Sequence, residues 1–335
     1  MAKNIKTNIF KKITMVAGIL RSKLTRSKFP FIVSWVLTNR CNYQCAYCGT
    51  WKRDTNELST IQIFKIIDEM AFLGTKRISF TGGEPLLRED LGKILEFCKK
   101  KSILISVNSN GSLVSKKIKE ILDLDLLNLS LDGPERVHDQ LKGEGAFSEL
   151  MNAINYAKHN NIKTAFFVTL SKLNLNCLNF FLDFANDTES AIFFQPAERY
   201  KLRNKDINLF APPEQEYKKV ISDLILEKRH NKFIANSLAG LRHLYHWPSF
   251  HPSMKCAGGI LFCRIDANGD VKICGRPNGS NSAGNILKME LKDAFNNIKP
   301  VNCNSCWCAS RIEFNYLCAF KLDVLINMLK QRKYL

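Results

Sequence analysis

With 335 residues, 45% of them hydrophobic, the chain is long and apolar enough to bury a sizeable core, which excludes a disordered or fibrous protein. A formal charge of +18 speaks for an anionic partner or surface, but no nucleic-acid reader module or aromatic-basic repeat accompanies it. Its twelve cysteines are too unevenly placed for a secreted disulfide framework.

Residues 1–30 form a basic amphipathic segment. Eight Lys and Arg residues and no acid fall within 1–28, with Ile5, Ile9, Ile13, Val16, Leu20 and Leu24 at roughly helical spacing. Such a helix suits either an anionic membrane surface or a face of the domain itself. The apolar run 13–20 is too short to span a bilayer and lacks a cleavage site, so the chain reads as cytoplasmic, with peripheral contact at the inner membrane face as an option.

From residue 31 to about 200, short apolar runs alternate with longer amphipathic ones. Strands are expected at 31–37, 77–80, 103–107, 126–131, 163–169 and 191–195, with helices at 59–73, 89–100, 115–122, 146–160 and 174–186. Six strands in strict β-then-α order predict an α/β fold with a parallel sheet and right-handed crossovers. Eight units close a full barrel, so this core is a partial (β/α)6 TIM-like barrel.

A linker and helical region follows over 201–255, with a helix from Pro212 and Pro213 to about Arg229. Next comes a small cysteine-rich α+β segment at 256–320, in which 260–274 reads as a hairpin turned by Asn268-Gly269. A basic tail, 321–335, ends the chain.

Ten cysteines fall into two groups: Cys41, Cys45 and Cys48, then Cys256, Cys263, Cys274, Cys303, Cys306, Cys308 and Cys318. Cys98 and Cys177 lie in apolar helical patterns and read as ordinary buried thiols. The first group, in "TNRCNYQCAYCG", has no fourth thiol nearby. Soft thiolates at short loop spacing suit an iron–sulfur cluster, and three of them leave one iron of a 4Fe-4S cubane open to a small molecule.

Cys41-x3-Cys45-x2-Cys48, with Tyr47 before the last cysteine and the loop directly after the first strand, resembles the cluster loop of the radical S-adenosylmethionine (SAM) superfamily. The resemblance implies that the open iron chelates SAM and that the cluster reduces it to a 5′-deoxyadenosyl radical, which takes a hydrogen atom from a substrate. It also implies an electron donor such as ferredoxin or flavodoxin. Further motifs fall at successive strand ends. Gly82-Gly83-Glu84-Pro85 matches the family's "GGEP" stretch, whose main chain meets the SAM amino group. Asn108, Ser109 and Asn110 resemble the polar turn that faces SAM, and Ser130 and Asp132 lie in a similar "SLDG". Where related enzymes carry an arginine near the SAM carboxylate, this chain has Lys142, which keeps the charge without the two-pronged geometry. Gln195, closing the sixth strand, is a further candidate on the cofactor or substrate side.

The second cysteine group resembles the C-terminal SPASM or twitch extension of such enzymes, which implies at least one auxiliary 4Fe-4S cluster, drawing on Cys256, Cys263 and Cys274 plus one tail cysteine. The compressed Cys303-x2-Cys306-x-Cys308 run departs from the usual SPASM spacing, and zinc suits a C-x2-C pair equally well. A rival from a different class is a non-catalytic iron–sulfur or zinc protein of electron transfer or assembly. It would ligate every cluster with four cysteines and would not bind SAM.

Overall fold

The computed structural model describes residues 2–52, 56–200, 207–249, 254–275, 281–299 and 306–330. Six parallel strands, β1 (Ile32–Thr38), β2 (Arg77–Gly82), β3 (Leu104–Ser109), β4 (Leu126–Ser130), β5 (Thr164–Leu170) and β6 (Ala191–Pro196), lie side by side in chain order. They match the six expected from the apolar runs. Five helices accompany the strands as expected: α2 (Thr60–Leu73), α3 (Leu91–Lys100), α4 (Val114–Lys117), α6 (Ala146–His159) and α7 (Leu178–Asp187). α1 (Ala2–Thr25) precedes them, and a short helix that the sequence did not announce, α5 (Glu135–Lys142), follows β4. The boundaries are locally coded: α2 opens on a capping box of Ser59 and Gln62 and stops at Gly74, whose φ of 94° only glycine adopts freely.

The hairpin of the cysteine-rich segment does not stand apart. β7 (Phe262–Ile265) pairs in parallel with β1 on the side opposite β2, and β8 (Asp270–Lys272) and β9 (Gly284–Asn285) continue the sheet in antiparallel fashion. The order is therefore β6-β5-β4-β3-β2-β1-β7-β8-β9, and the sheet is not closed. The remaining helices are α8 (Glu214–Glu227), α9 (Leu238–Leu244), α10 (Leu291–Asn296), α11 (Ala309–Cys318) and α12 (Leu322–Lys330).

Strand alternation separates two surfaces. Val33, Trp35, Ile78, Phe80, Ile105, Val107, Leu127 and Leu129 point to the helix layer and are at most 1% exposed. The opposite face is mixed: Ile32, Leu104, Leu126, Phe167, Phe193 and Phe262 share it with small polar residues. Ser34, Ser79 and Ser106 occupy matching register positions on β1, β2 and β3, and with Asn108, Asn128 and Ser130 they line a lumen of about 480 Å³. Closed barrels fill this space with bulky branched side chains; here hydroxyls and amides leave it open.

Three segments cover the lumen. Phe314 and Leu317 of α11, Val324 and Met328 of α12, and Met15 of α1 all line it. α1 is thus packed on the domain: Ile19 is fully buried, and Gly18 lies so close to the Phe31 ring that a Cβ there would stand 2.4 Å from it. Among the described residues no helix is long and apolar enough to cross a membrane.

The open edge at β6 is protected without another full strand. Ile192 bridges Ile234, and the Asn236 amide accepts from Phe194 N at 2.8 Å and donates to Phe194 O at 3.0 Å, standing in for a neighbouring strand. Asn236→Ala leaves both buried backbone groups unpaired and should destabilise the chain by about 2–5 kcal/mol, read from the shift of the urea midpoint.

Candidate active site

The loop after β1 is held from three sides. Gly83 N and Glu84 N donate to Thr38 O and Arg40 O, each at 2.8 Å, binding the turn after β2 to the start of the loop. A Cβ on Gly83 would stand 2.0 Å from Arg40 O, so no other residue fits against that backbone. Asn110 Nδ2 donates to Asn42 Oδ1 at 3.0 Å, and Asn42 Nδ2 to Ser112 Oγ at 2.8 Å, joining the loop to the turn after β3. Ala46 N donates to Leu141 O at 2.9 Å, which docks the loop on the end of α5.

Glu84 is the bracket between two of these turns. Fully buried, it accepts from Leu86 N and Ser109 Oγ through one oxygen and from Asn110 N through the other, at 2.8–3.1 Å. Burial pushes it up to about 7, although those donors and Lys142 pull the other way. Among the expected contacts to SAM, the Glu84, Ser109 and Asn110 side chains thus bond within the protein; Asn108 and Ser130 line the lumen, Asn108 also bonding to Ser79 and Asn128.

Lys142, which stands where related enzymes carry an arginine, lies at the centre of the site. Its side chain is 3% exposed and its ammonium sits 3.2 Å from Asp132 Oδ2, which also accepts from Tyr47 Oη at 2.7 Å. Burial opposes the charge on Lys142, but Asp132, Cys45 and Cys48 outweigh it and hold the ammonium above its ordinary range. Burial and the Asp132 carboxylate hold the Tyr47 phenol well above its usual range, so it stays a neutral donor. The second Asp132 oxygen is buried without a hydrogen-bond partner among the described residues. His138 Nδ1 accepts from Asp132 N at 3.2 Å, and burial lowers this imidazole to about 4, so the ring is neutral.

Cys41, Cys45 and Cys48 are free, half-buried thiols in one electrostatic neighbourhood. Burial pushes Cys45 up to about 11 and also raises Cys41; Lys142 offsets part of both shifts. Among the described residues no three His, Cys, Asp or Glu groups converge on the position of a single metal ion. Three soft donors spread along one loop, with a buried cation to balance thiolate charge, fit a multi-iron cluster better than a lone hard ion.

The later cysteines do not form one group. Cys318 feels the charge of Cys256 and is pushed up to about 12, chiefly by burial, so these two thiols are neighbours. Cys263 is fully buried on β7, between the lumen-facing Phe262 and Arg264, and burial pushes it to about 12 as well. Cys308 faces the lumen, Cys306 is buried and Cys274 is half-buried. Cys303 falls outside the described residues. Cys98 and Cys177 are buried thiols in apolar surroundings, as their sequence settings imply. Gln195 lines the lumen, and its side-chain oxygen accepts from Ala309 N at 3.2 Å, fastening the start of α11 to β6.

The superfamily model described as Radical SAM matches residues 35–185. Residues 35–185 are a radical SAM domain. This span holds the cysteine loop and the turns after β2, β3 and β4. Radical SAM domains use a 4Fe-4S cluster and SAM, and the thiol set here fits that cluster. Among curated proteins, the chain is 29% identical to Fe-coproporphyrin III synthase of Methanosarcina barkeri over 62% of its own length and 53% of that protein's. It is 26% identical to mycofactocin maturase MftC of Mycobacterium tuberculosis over 73% and 64%. The chain therefore spans between about half and two thirds of these relatives. In fold it is similar to Streptococcus suis SuiB bound to S-adenosylmethionine, with a TM-score of 0.67, 16% identity and coverage of 82% of this chain and 68% of that one. AdoMet-bound anSMEcpe gives 0.64 at 17% identity, over 90% and 98%.

Two outcomes test this electrostatic reading of the radical SAM site. Lys142→Met strands Asp132 as a buried unpaired charge and should cost about 3–5 kcal/mol in the metal-free chain, measured by denaturant titration at pH 7. Glu84, raised on folding from 4.5 to about 7, binds its proton more tightly folded than unfolded. Its contribution to stability is complete below pH 4.5 and lost as pH rises through 7. Comparing melting at pH 5 and pH 8, Glu84→Gln should flatten the decline seen in the parent; equal declines would refute the assignment.

Proposed function

We propose that the chain is a radical SAM enzyme that abstracts a hydrogen atom from a substrate held in the barrel lumen. The observation that carries this reading is the thiol trio on the loop directly after β1, a strand that itself lines the lumen through Ile32 and Ser34. Cys41, Cys45 and Cys48 would hold the 4Fe-4S cluster. With SAM bound, that cofactor pair supplies reductive cleavage to methionine and a 5′-deoxyadenosyl radical.

The chain's own residues do the positioning. Asp132 and Tyr47 fix Lys142 under the loop, where its charge offsets the thiolates. Glu84 locks the turns after β2 and β3 to each other, so that main chain near Gly82 and Gly83 can approach the SAM amino group. α1, α11 and α12 exclude bulk water from the lumen wall. The neighbouring Cys256 and Cys318 support an auxiliary cluster in the later segment, joined by Cys274 and by cysteines of the 303–308 run, with Cys263 a candidate held deeper in the core. A reductant such as ferredoxin or flavodoxin would supply electrons. Exposed Ile13, Leu20 and Leu24 along a basic helix support a peripheral contact with an anionic membrane.

Replacing Cys41, Cys45 and Cys48 together by alanine should abolish 5′-deoxyadenosine formation from SAM under a strong reductant. Persistent product, quantified by liquid chromatography on the anaerobically reconstituted protein, would sink the mechanism.

A further inference from the structure

The lumen carries an imbalance of charge that the protein does not itself resolve. Three guanidinium groups line it, Arg77, Arg264 and Arg311, against one carboxylate, Glu313. Glu313 is turned to other partners: its Oε1 accepts from Ser237 N at 2.8 Å and from Ser237 Oγ at 3.1 Å. Arg264 is paired with Asp266 at 2.6 Å. Arg77 and Arg311 have no carboxylate within ion-pair distance among the described residues; Asp125 acts on Arg77 only from further off, and one Asp125 oxygen is occupied by Ile105 N. Arg311 stacks on the Phe262 ring at 3.8 Å and donates through Nη1 to Ile273 O at 3.3 Å. Its Nε is buried with no hydrogen-bond partner among the described residues.

Neutral groups of the wall are short of partners too. Ser106 is 5% exposed, and its hydroxyl is open to the lumen. It sits in the serine row that runs from β3 through Ser79 to Ser34, which lies opposite Arg264 of β7 in the strand register. Asn128 is 7% exposed and donates to Asn108 Oδ1 at 2.8 Å, while its own Oδ1 is buried without a donor among the described residues. Buried polar groups are almost always satisfied, and an unbalanced cation in a low-dielectric space is costly until an anion joins it. A ligand would supply both.

We propose that the lumen is a substrate pocket for a molecule bearing an oxyanion, with Arg311 and the serine row receiving that group and Asn128 accepting from a neighbouring N–H or O–H of the same molecule. This rests on the radical SAM reading, because it places the substrate below the cysteine loop, and it adds the substrate's chemical class. Guanidinium binds carboxylate and phosphate by the same paired N–H donors, so the shared requirement is an oxygen anion. Arg311 reaches the lumen from α11, so the cysteine-rich segment adds selecting charge to that of Arg77 on the barrel strand β2.

The test uses the full chain, reconstituted anaerobically and dialysed to equilibrium against radiolabelled inorganic phosphate and, separately, radiolabelled succinate. At least one probe should bind saturably at one site. Arg311→Met should weaken it by about tenfold or more, as expected for a lost charge-assisted pair, and Arg311→Lys should recover part of the loss. Ser106→Ala, a smaller change, should weaken binding measurably and decides the matter if Arg311→Met does not fold. Lys100→Met, on an exposed helix face, should leave binding alone. Binding of phosphate only assigns a phosphorylated substrate; binding of succinate only assigns a carboxylate. Failure of both probes to bind, or affinities unchanged in both the Arg311 and Ser106 variants, overturns the proposal. SAM cleavage by the unsubstituted protein, followed without probe in the same preparation, reports separately on the cysteine loop.

Discussion

The whole arrangement depends on a sheet that does not close. A full barrel satisfies its edge hydrogen bonds by circular pairing and fills its interior from its own strands. Here β6 ends the parallel run, so the chain must cover both an exposed edge and a side entrance to the lumen. It does so with elements from far along the sequence. Asn236 occupies the Phe194 backbone, Gln195 fastens the start of α11, and α11 and α12 lay apolar residues over the opening. On the other flank, β7 extends the sheet past β1, so the cysteine-rich segment and the barrel share one hydrogen-bonded framework. A shift in the tail helix would be felt at the lumen, because Arg311, Glu313 and Phe314 reach it from that helix.

Inside this frame the site is stabilised by a charged pair under cover. Lys142 and Asp132 are nearly inaccessible, and such a pair adds little net stability compared with apolar packing. Its value lies in geometry: one carboxylate oxygen receives both the ammonium and the Tyr47 phenol, which fixes the residue next to Cys48. An arginine here would spread its charge over a planar fork and compete for both Asp132 oxygens. Lysine delivers a compact charge and leaves the second oxygen without a hydrogen-bond partner among the described residues.

Much of this was legible in the sequence, and what was not had a common cause. The six core strands, the helices between them and the order of motifs at strand ends follow from local periodicity and from glycine and proline placement, which are short-range signals. Pairing of β7 with β1 is not short-range: 262–265 reads as half of a local hairpin, and nothing in those residues reveals that Ile32 lies alongside Phe262. The weight of Lys142 was not legible, because sequence shows the side-chain type and not its burial. α5 was missed because its eight residues, 135–142, carry only a short amphipathic pattern amid motif residues. The serine row was visible residue by residue in "IVSWV", "RISFT" and "LISVN", yet each serine alone is an unremarked polar position in an alternating strand. Only register puts Ser34, Ser79 and Ser106 side by side.

That row also explains why the open lumen is tolerable. An apolar cavity of this size would be dry and would forfeit the dispersion contacts of every wall atom. The hydroxyls and amides set among its apolar lining give water partners when no ligand is bound, so the cost of leaving the space unfilled is moderated. The strands meet their packing requirement on the other face, where Trp35, Phe80, Val107 and Leu129 are fully buried against helices. Stability is thus drawn from one side of the sheet, and the other is left to chemistry. The same alternation that makes a strand half-buried is used here to give a barrel a rigid exterior and a lumen whose composition can vary without unfolding it.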